Sequence, residues 1–118
     1  MKKSQQIYKG DTPVVSLCFQ EHTSLLVAVM ENGTVAMLDA HREYSTIAEF
    51  YTGFGSVSHA EVHPTEALLA IAGDEKLEIW DTKEQQRIFY YQFDEGVGLG
   101  SSMVFHPGSA RLFFGGYD

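Results

Sequence analysis

The sequence predicts an all-β fold made of four-stranded antiparallel sheets, and three observations support this prediction. Its apolar residues come in runs of four to six that Gly, Pro or Asn interrupts, which is too short for the apolar face of a helix. Residues that favour turns separate these β-rich runs at short intervals. The same order of features returns at a fixed distance along the 118 residues. We therefore expect one β-sheet unit that repeats along the chain.

The repeat distance is 43 residues, and several independent positions agree on it. Gly10, Gly53 and Gly96 are separated by 43 residues each, and His63-Pro64 corresponds to His106-Pro107 at the same distance. Such agreement indicates a true repeat, and its length is in the range of a four-stranded propeller blade. The predicted fold class is therefore all-β, with four-stranded antiparallel blades of a β-propeller and about two and a half blades present.

The second repeat shows the four strands of one blade most clearly. Its first strand ends at His63-Pro64, because proline cannot donate to a strand ladder and starts a turn well. Its third strand alternates polar and apolar residues, as a strand with one better-buried face does. The predicted strands are 57–62, 68–72, 76–80 and 87–93.

The same spacing divides the remainder of the chain. The predicted units are an outer strand at 5–9, repeat one at 14–50, repeat two at 57–93 and half of repeat three at 101–118. This division gives eleven strands, where whole blades would need twelve, and it leaves residues 112–115 as an open sheet edge. We therefore expect the chain to be part of a longer propeller.

Composition restricts the partners and the compartment. Sixteen acidic against eight basic residues give a formal net charge of -8, which disfavours direct nucleic-acid binding by clustered Lys and Arg. The longest apolar run, residues 25–30, has six residues, whereas a membrane-spanning helix needs about 20, so no membrane association is expected. Cys18 is the single cysteine and excludes an intrachain disulfide. A reducing compartment, the cytoplasm or nucleus, is predicted.

The order of motifs in the second repeat resembles the WD repeat. Val62-His63-Pro64 and residues 68–74 carry the resemblance, together with residues 77–81, which end on the dipeptide Trp80-Asp81. The first repeat matches with Leu38 in place of the tryptophan. The chain is thus identified as a partial, degenerate WD-repeat propeller.

One departure from the family concerns the residue before each first strand. The family often has Gly-His there, whereas this sequence has Gly10-Asp11, Gly53-Phe54 and Gly96-Val97. The buried hydrogen-bond network that uses the histidine is therefore absent. We expect blade packing to rest on apolar contacts instead.

Candidate groups for metal chemistry occur at one place. His59, Glu61 and His63 alternate, so two imidazoles and a carboxylate would point to the same side of a strand. A structural role is favoured, because a propeller sheet packs both faces against neighbouring blades. Glu61 aligns with Cys18 and Val104, which predicts either a partner charge or a raised pKa. No metal or cofactor is expected.

Catalytic motifs are weak in this sequence. Ser101-Ser102 and His106 offer residue types of a nucleophilic triad, but no Gly-x-Ser-x-Gly elbow is present. The glycines of 96–100 precede a strand and lack the Lys-Ser or Lys-Thr of a phosphate-binding loop. We predict that the chain is not an enzyme.

The resemblance implies that the loops before each first strand and after each second strand share one rim, where propellers bind partners. An acidic rim with aromatic residues would favour a basic peptide, although an acidic rim kept for solubility would have the same composition. The candidate partner-binding residues are Asp11, Glu31, Phe54, Asp74, Glu75 and Tyr117.

Two functions follow from the resemblance. The favoured one is a protein-protein interaction scaffold that binds other proteins or peptides and packs against the remaining blades of its own propeller. The alternative is a propeller domain that serves as the substrate receptor or regulatory subunit of an enzyme complex, such as a ubiquitin ligase.

Overall fold

The computed structural model describes residues 12–20, 23–93, 99–109 and 111–116. These residues form ten strands and one short 3₁₀ helix, Ala40–Arg42. Within them, no helix is both long and apolar enough to span a lipid bilayer. The predicted outer strand at 5–9 lies outside the described residues.

The strands form two four-stranded sheets and one two-stranded sheet, all antiparallel, with neighbours in sequence paired side by side. We call these sheets blades 1, 2 and 3. This arrangement confirms the predicted all-β fold of about two and a half four-stranded blades. Blade 1 contains β1 (Val14–Phe19), β2 (Leu25–Met30), β3 (Thr34–Asp39) and β4 (Ser45–Tyr51); blade 2 contains β5 (His59–Val62), β6 (Leu68–Ala72), β7 (Lys76–Asp81) and β8 (Gln86–Gln92); blade 3 contains β9 (Leu99–Phe105) and β10 (Leu112–Gly116).

The first strand of blade 2 begins two residues later than the sequence predicts. The backbone N-H of Val57 donates to the carbonyl of Glu31 in blade 1, at 2.8 Å, instead of entering the ladder of its own sheet. The N-H of Ser58 then donates to Ala72, and the regular strand starts at His59. The segment before β5 thus joins two blades.

The contact between blades 1 and 2, which we call seam 1, is an apolar core. The faces that blades 1 and 2 turn toward each other meet here, and the centre of the Phe50 ring lies 5.8 Å from that of the Trp80 ring. Burying one Val, Leu or Ile side chain contributes about 1.5 to 3 kcal/mol relative to exposure, so this seam stabilises both sheets. Its buried residues are Val27, Val29, Val35, Phe54, Val57, Val62, Leu69 and Ile71.

The contact between blades 2 and 3, seam 2, uses the opposite face of blade 2. Met103 and Phe105 of β9 pack there against the side chains of β6 and β7, and the imidazole of His63 lies 5.2 Å from the Phe105 ring. Blade 2 is therefore covered on both faces, and this explains why its central strand β6 carries an apolar residue at every position. The buried residues of seam 2 are Ala70, Ala72, Leu77, Phe93, Met103 and Phe105.

Each seam also contains a polar contact that spans 46 residues. The side-chain amide of Gln20 donates to the carbonyl of Glu66 at 2.7 Å across seam 1, and to that of His63 at 3.0 Å. The Nε2 atom of His63 lies 2.6 Å from the carbonyl of Ser109 across seam 2. Because a carbonyl can only accept, Nε2 is the donor. We call these two contacts the blade latches.

The ring of His63 is fixed from its other side as well. Its Nδ1 accepts the backbone N-H groups of Thr65 and Glu66, at 3.1 and 2.9 Å. Both ring nitrogens of this buried side chain are therefore satisfied. The expectation that blade packing rests on apolar contacts alone is wrong. The histidine that the family has before the first strand is absent, but Gln20 and His63 supply polar contacts across the two seams.

Replacing His63 by Ala should destabilise the chain by roughly 2 to 3 kcal/mol, since it leaves the Ser109 carbonyl and two backbone N-H groups without partners. Gln at this position should retain most of the stability, because Gln20 makes the equivalent contact in seam 1. Urea unfolding followed by circular dichroism measures both variants. Equal losses for His63→Ala and His63→Gln would contradict the latch.

Candidate protein-binding rim

One rim of the blades is formed by the β2-β3 turn (31–33), the β4-β5 segment (52–58) and the β6-β7 turn (73–75), which we call the pocket rim. Backbone hydrogen bonds tie these loops to one another. The backbone N-H of Thr52 donates to the carbonyl of Gly33, and the N-H of Glu31 donates to the carbonyl of Pro13 at 2.9 Å. The N-H of Phe93 donates to Glu75 at 2.8 Å. The loops are thus held by the ends of the strands they connect.

A pocket of about 280 Å³ opens on this rim where the β4-β5 segment meets the β6-β7 turn. It therefore lies across the junction of two blades rather than within one. Its lining combines an aromatic ring, two hydroxyls, two carboxylates and one ammonium group. The lining residues are Phe54, Ser56, Ser58, Gly73, Asp74, Glu75 and Lys76.

Gly73 sets how closely the two loops approach each other. A Cβ atom at this position would lie 2.6 Å from the carbonyl oxygen of Ser56 and 3.0 Å from Cε1 of Phe54. Any other residue would therefore have to move the backbone of the β4-β5 segment. The glycine allows the β6-β7 turn to sit directly against that segment, and this contact gives the pocket its floor.

The cation of the pocket is directed inward. Nζ of Lys76 lies 4.7 Å above the centre of the Phe54 ring and 3.7 Å from the Glu78 carboxylate. Glu78 is buried and also accepts from Trp80 Nε1 at 2.8 Å and from Arg87 at 3.2 Å. The ammonium group of Lys76 thus faces a buried anion and an aromatic face, and the carboxylates of the rim dominate its outer side.

Three of the predicted partner-binding residues lie on this rim. Asp74 and Glu75 are exposed and line the pocket, and Glu31 is exposed in the β2-β3 turn. Phe54 also lines the pocket, but it is only 5% exposed and belongs to the core of seam 1, so little of its ring is accessible to a partner, in contrast to the exposed rim position that the sequence predicted. The correction arises because Lys76 and the β6-β7 turn cover the ring. Asp11 and Tyr117 lie outside the described residues.

The three residues considered for metal binding have other roles. Both ring nitrogens of His63 are engaged by backbone groups, so this side chain is not available as a ligand. His59 Nδ1 lies 3.1 Å from the hydroxyl of Ser58. In the described part of the chain, no set of three His, Cys, Asp or Glu side chains is arranged to hold a metal ion.

Glu61 is half-buried on the face of blade 2 that is turned toward seam 2, and burial raises the pKa of its carboxyl group. One of the two alternatives raised by its alignment with Cys18 and Val104, a raised pKa, is thereby confirmed.

Sequence reasoning missed two groups that organise the site. The latch position could have been found, because Gln20, His63 and His106 coincide at the 43-residue shift. The sequence did not indicate that Glu78 is buried, because a Glu in a strand of alternating polar and apolar residues is typical of a solvent-facing position. Both faces of blade 2 are covered, so that pattern misleads here.

Comparisons with known proteins give a fold and no closer assignment. No family model and no curated protein matches the sequence. The structure of U3-55K matches with a TM-score of 0.75 and 12% identity, over 92% of this chain and 34% of that one. The RRP9 WD40 repeats match with a TM-score of 0.75 and 11% identity, over 92% and 34%. The β-propeller domain of Cps50 (Swd1) from Myceliophteria thermophila matches with a TM-score of 0.67 and 15% identity, over 85% and 31%.

The chain has the WD-repeat β-propeller fold. The resemblance found in the motifs is thereby confirmed at the level of the fold. The chain spans about a third of the length of each of these solved WD-repeat structures.

Replacing Glu61 by Gln should stabilise this propeller chain at neutral pH. A carboxyl group whose pKa is raised by folding opposes folding when it is charged, so the penalty is present at pH 7 and disappears below the ordinary Glu value of 4.5. Urea unfolding between pH 4 and pH 8 should show the advantage of the variant growing as pH rises. Glu84→Gln, at an exposed turn, serves as control and should show no such trend; a pH-independent difference at position 61 would exclude burial of its charge as the cause.

Proposed function

We propose that this chain is a protein-protein interaction scaffold that binds basic segments of other proteins at the pocket rim. The observation that carries the proposal is the position of two exposed carboxylates, Asp74 and Glu75, in the lining of a pocket between the β4-β5 segment and the β6-β7 turn, with a third exposed carboxylate, Glu31, on the same rim. Carboxylates grouped in this way attract Lys and Arg side chains and orient an approaching partner. The role proposed is docking without catalysis.

The electrostatics of the pocket support a basic ligand. The Lys76 ammonium group is close to the Glu78 carboxylate, so its repulsion of an incoming cation is reduced. The whole chain carries a formal net charge of -8, which adds a long-range attraction for basic segments. Ser56 and Ser58 provide polar groups at the pocket wall that can accept hydrogen bonds from a guanidinium or ammonium group.

The rigidity of the rim also supports binding. The turns that carry the carboxylates are fixed by backbone hydrogen bonds, including Val57 to Glu31 and Gly73 to Lys76. Binding of a partner therefore costs little conformational entropy in these turns. A rim of this kind suits a scaffold, which must present the same surface to each partner.

The proposed partners are other proteins or peptides in the cytoplasm or nucleus. Cys18 supports this compartment, because it is a half-buried free thiol within the described residues. The WD-repeat propeller fold of the solved neighbours is consistent with a docking role.

Reversing two rim charges should weaken binding of a basic peptide. The variant Asp74→Lys with Glu75→Lys should lower the affinity for a fluorescein-labelled peptide of Lys, Arg and Gly by roughly tenfold or more, since both substitutions turn attraction into repulsion. Fluorescence anisotropy measures the affinity, which should also fall as salt is added.

The matched control is Glu43→Lys with Glu84→Lys. Both residues are exposed in turns at the opposite rim. Because two carboxylates are replaced by lysines in each case, this variant has the same net charge as the test variant. It should bind the peptide within about twofold of the original chain. Similar weakening in both variants would mean that net charge alone, and not the pocket rim, attracts the peptide.

A further inference from the structure

The side chain of Lys76 reaches into the pocket of the rim and lies against an aromatic ring. Its Nζ atom is 4.7 Å above the centre of the Phe54 ring and 3.7 Å from the carboxylate of Glu78, whose side chain is 3% exposed. An aromatic face beside a desolvated carboxylate is a favourable environment for the ammonium or guanidinium group of a ligand. We call this place, between Phe54 and Glu78, the cation subsite.

The cation subsite does not follow from the 43-residue repeat. One repeat earlier, the corresponding positions carry no aromatic ring and no cation, and the position of the buried carboxylate is apolar. The residues at these positions are Asp11 for Phe54, Gly33 for Lys76 and Val35 for Glu78. Packing of one blade on the next therefore does not require this group of side chains.

The two walls of the cation subsite are held by contacts other than those with Lys76. Phe54 belongs to the apolar core of seam 1. The carboxylate of Glu78 accepts hydrogen bonds from Trp80 Nε1 at 2.8 Å and from Arg87 at 3.2 Å. The ring and the carboxylate should therefore keep their positions when the side chain of Lys76 moves away.

Lys76 itself is held less firmly than these walls. The distance of 3.7 Å from Nζ to the Glu78 carboxylate is longer than a hydrogen bond, and 30% of the Lys76 side chain is exposed. A lysine carries its charge on a flexible four-carbon stem. Rotation about the bonds of this stem can therefore move the ammonium group into solvent, which uncovers the face of the Phe54 ring and one side of the carboxylate.

We propose that Lys76 is an internal competitor for the cation subsite, and that a basic side chain of the partner displaces it on binding. This inference rests on the proposed function of the pocket rim. The partner's ammonium or guanidinium group then lies over Phe54 and faces Glu78. Because only the molecules in which Lys76 has left the subsite can accept the ligand there, the apparent affinity is lowered by the fraction of such molecules. Lys76 thus holds the affinity of the rim below the value that the subsite itself allows.

Three substitutions separate occupation of the subsite from the charge of Lys76. Lys76→Ala removes both the charge and the stem, so it should raise the affinity for the fluorescein-labelled peptide of Lys, Arg and Gly by roughly tenfold. Lys76→Met removes the charge but keeps an apolar stem over the ring, so the affinity should rise by about threefold or less. Lys83→Ala removes an equal charge from the exposed β7-β8 turn and should bind within about twofold of the original chain. Fluorescence anisotropy measures all four affinities, and far-UV circular dichroism verifies that the variants fold.

Displacement can also be observed in the original chain, so this measurement does not depend on the folding of a variant. Because Nζ of Lys76 lies above the Phe54 ring, the ring current should shift the NMR resonances of the adjacent Cε protons upfield. Saturation with the peptide should return these resonances to the ordinary lysine position. Resonances of Lys76 that stay shifted at saturation would overturn the proposal.

The affinities distinguish failure of this inference from failure of the proposed function. If binding depends on Asp74 and Glu75 but Lys76→Ala binds no more tightly than Lys76→Met or Lys83→Ala, the proposed function stands and competition by Lys76 is excluded. If neither the original chain nor any variant binds the peptide, both the proposed function and the inference are overturned.

Discussion

Burial of both faces of blade 2 is the constraint on which the rest of this structure depends. A four-stranded sheet with apolar residues on both sides has no favourable surface to present to water, so it needs a neighbour on each side. Blade 1 covers one face through seam 1, and blade 3 covers the other through seam 2. The chain is therefore organised by contacts between sheets, and each sheet depends on the next for its stability.

The seams also place the candidate site. At one rim, the latches of Gln20 and His63 fix the distance between blades by side-chain hydrogen bonds to backbone carbonyls. At the other rim, Gly73 brings the β6-β7 turn against the β4-β5 segment, and the pocket opens where they meet. Glu31 and Asp74 lie in turns of different blades, and the hydrogen bond from the Val57 N-H to the Glu31 carbonyl joins these blades on this rim. The same interblade contacts thus support both the fold and the charged surface proposed to bind partners.

The sequence predicted the blades well because its signals are local. Apolar runs, turn residues and the 43-residue period determine strand order, and β6 matches its predicted bounds, Leu68–Ala72. The environment of each side chain depends on neighbouring sheets, which local patterns do not describe. Phe54 was therefore expected to be an exposed rim residue although Lys76 covers its ring. Glu78 resembled a surface residue although it is buried and accepts hydrogen bonds from Trp80 and Arg87. The blade latches could be predicted only in part. The 43-residue spacing of Gln20 and His63 is visible in the sequence, but the carbonyl groups that accept their hydrogen bonds are not.

The most direct test of the latched seams is the protonation of the His63 ring, observed by long-range ¹⁵N-¹H NMR of the chain labelled in its histidines. The account predicts the tautomer with its proton on Nε2, which donates to the Ser109 carbonyl, and with Nδ1 as the acceptor of two backbone N-H groups. A proton on Nδ1, or an average of the two tautomers, would contradict the latch and with it the account of how the blades are joined.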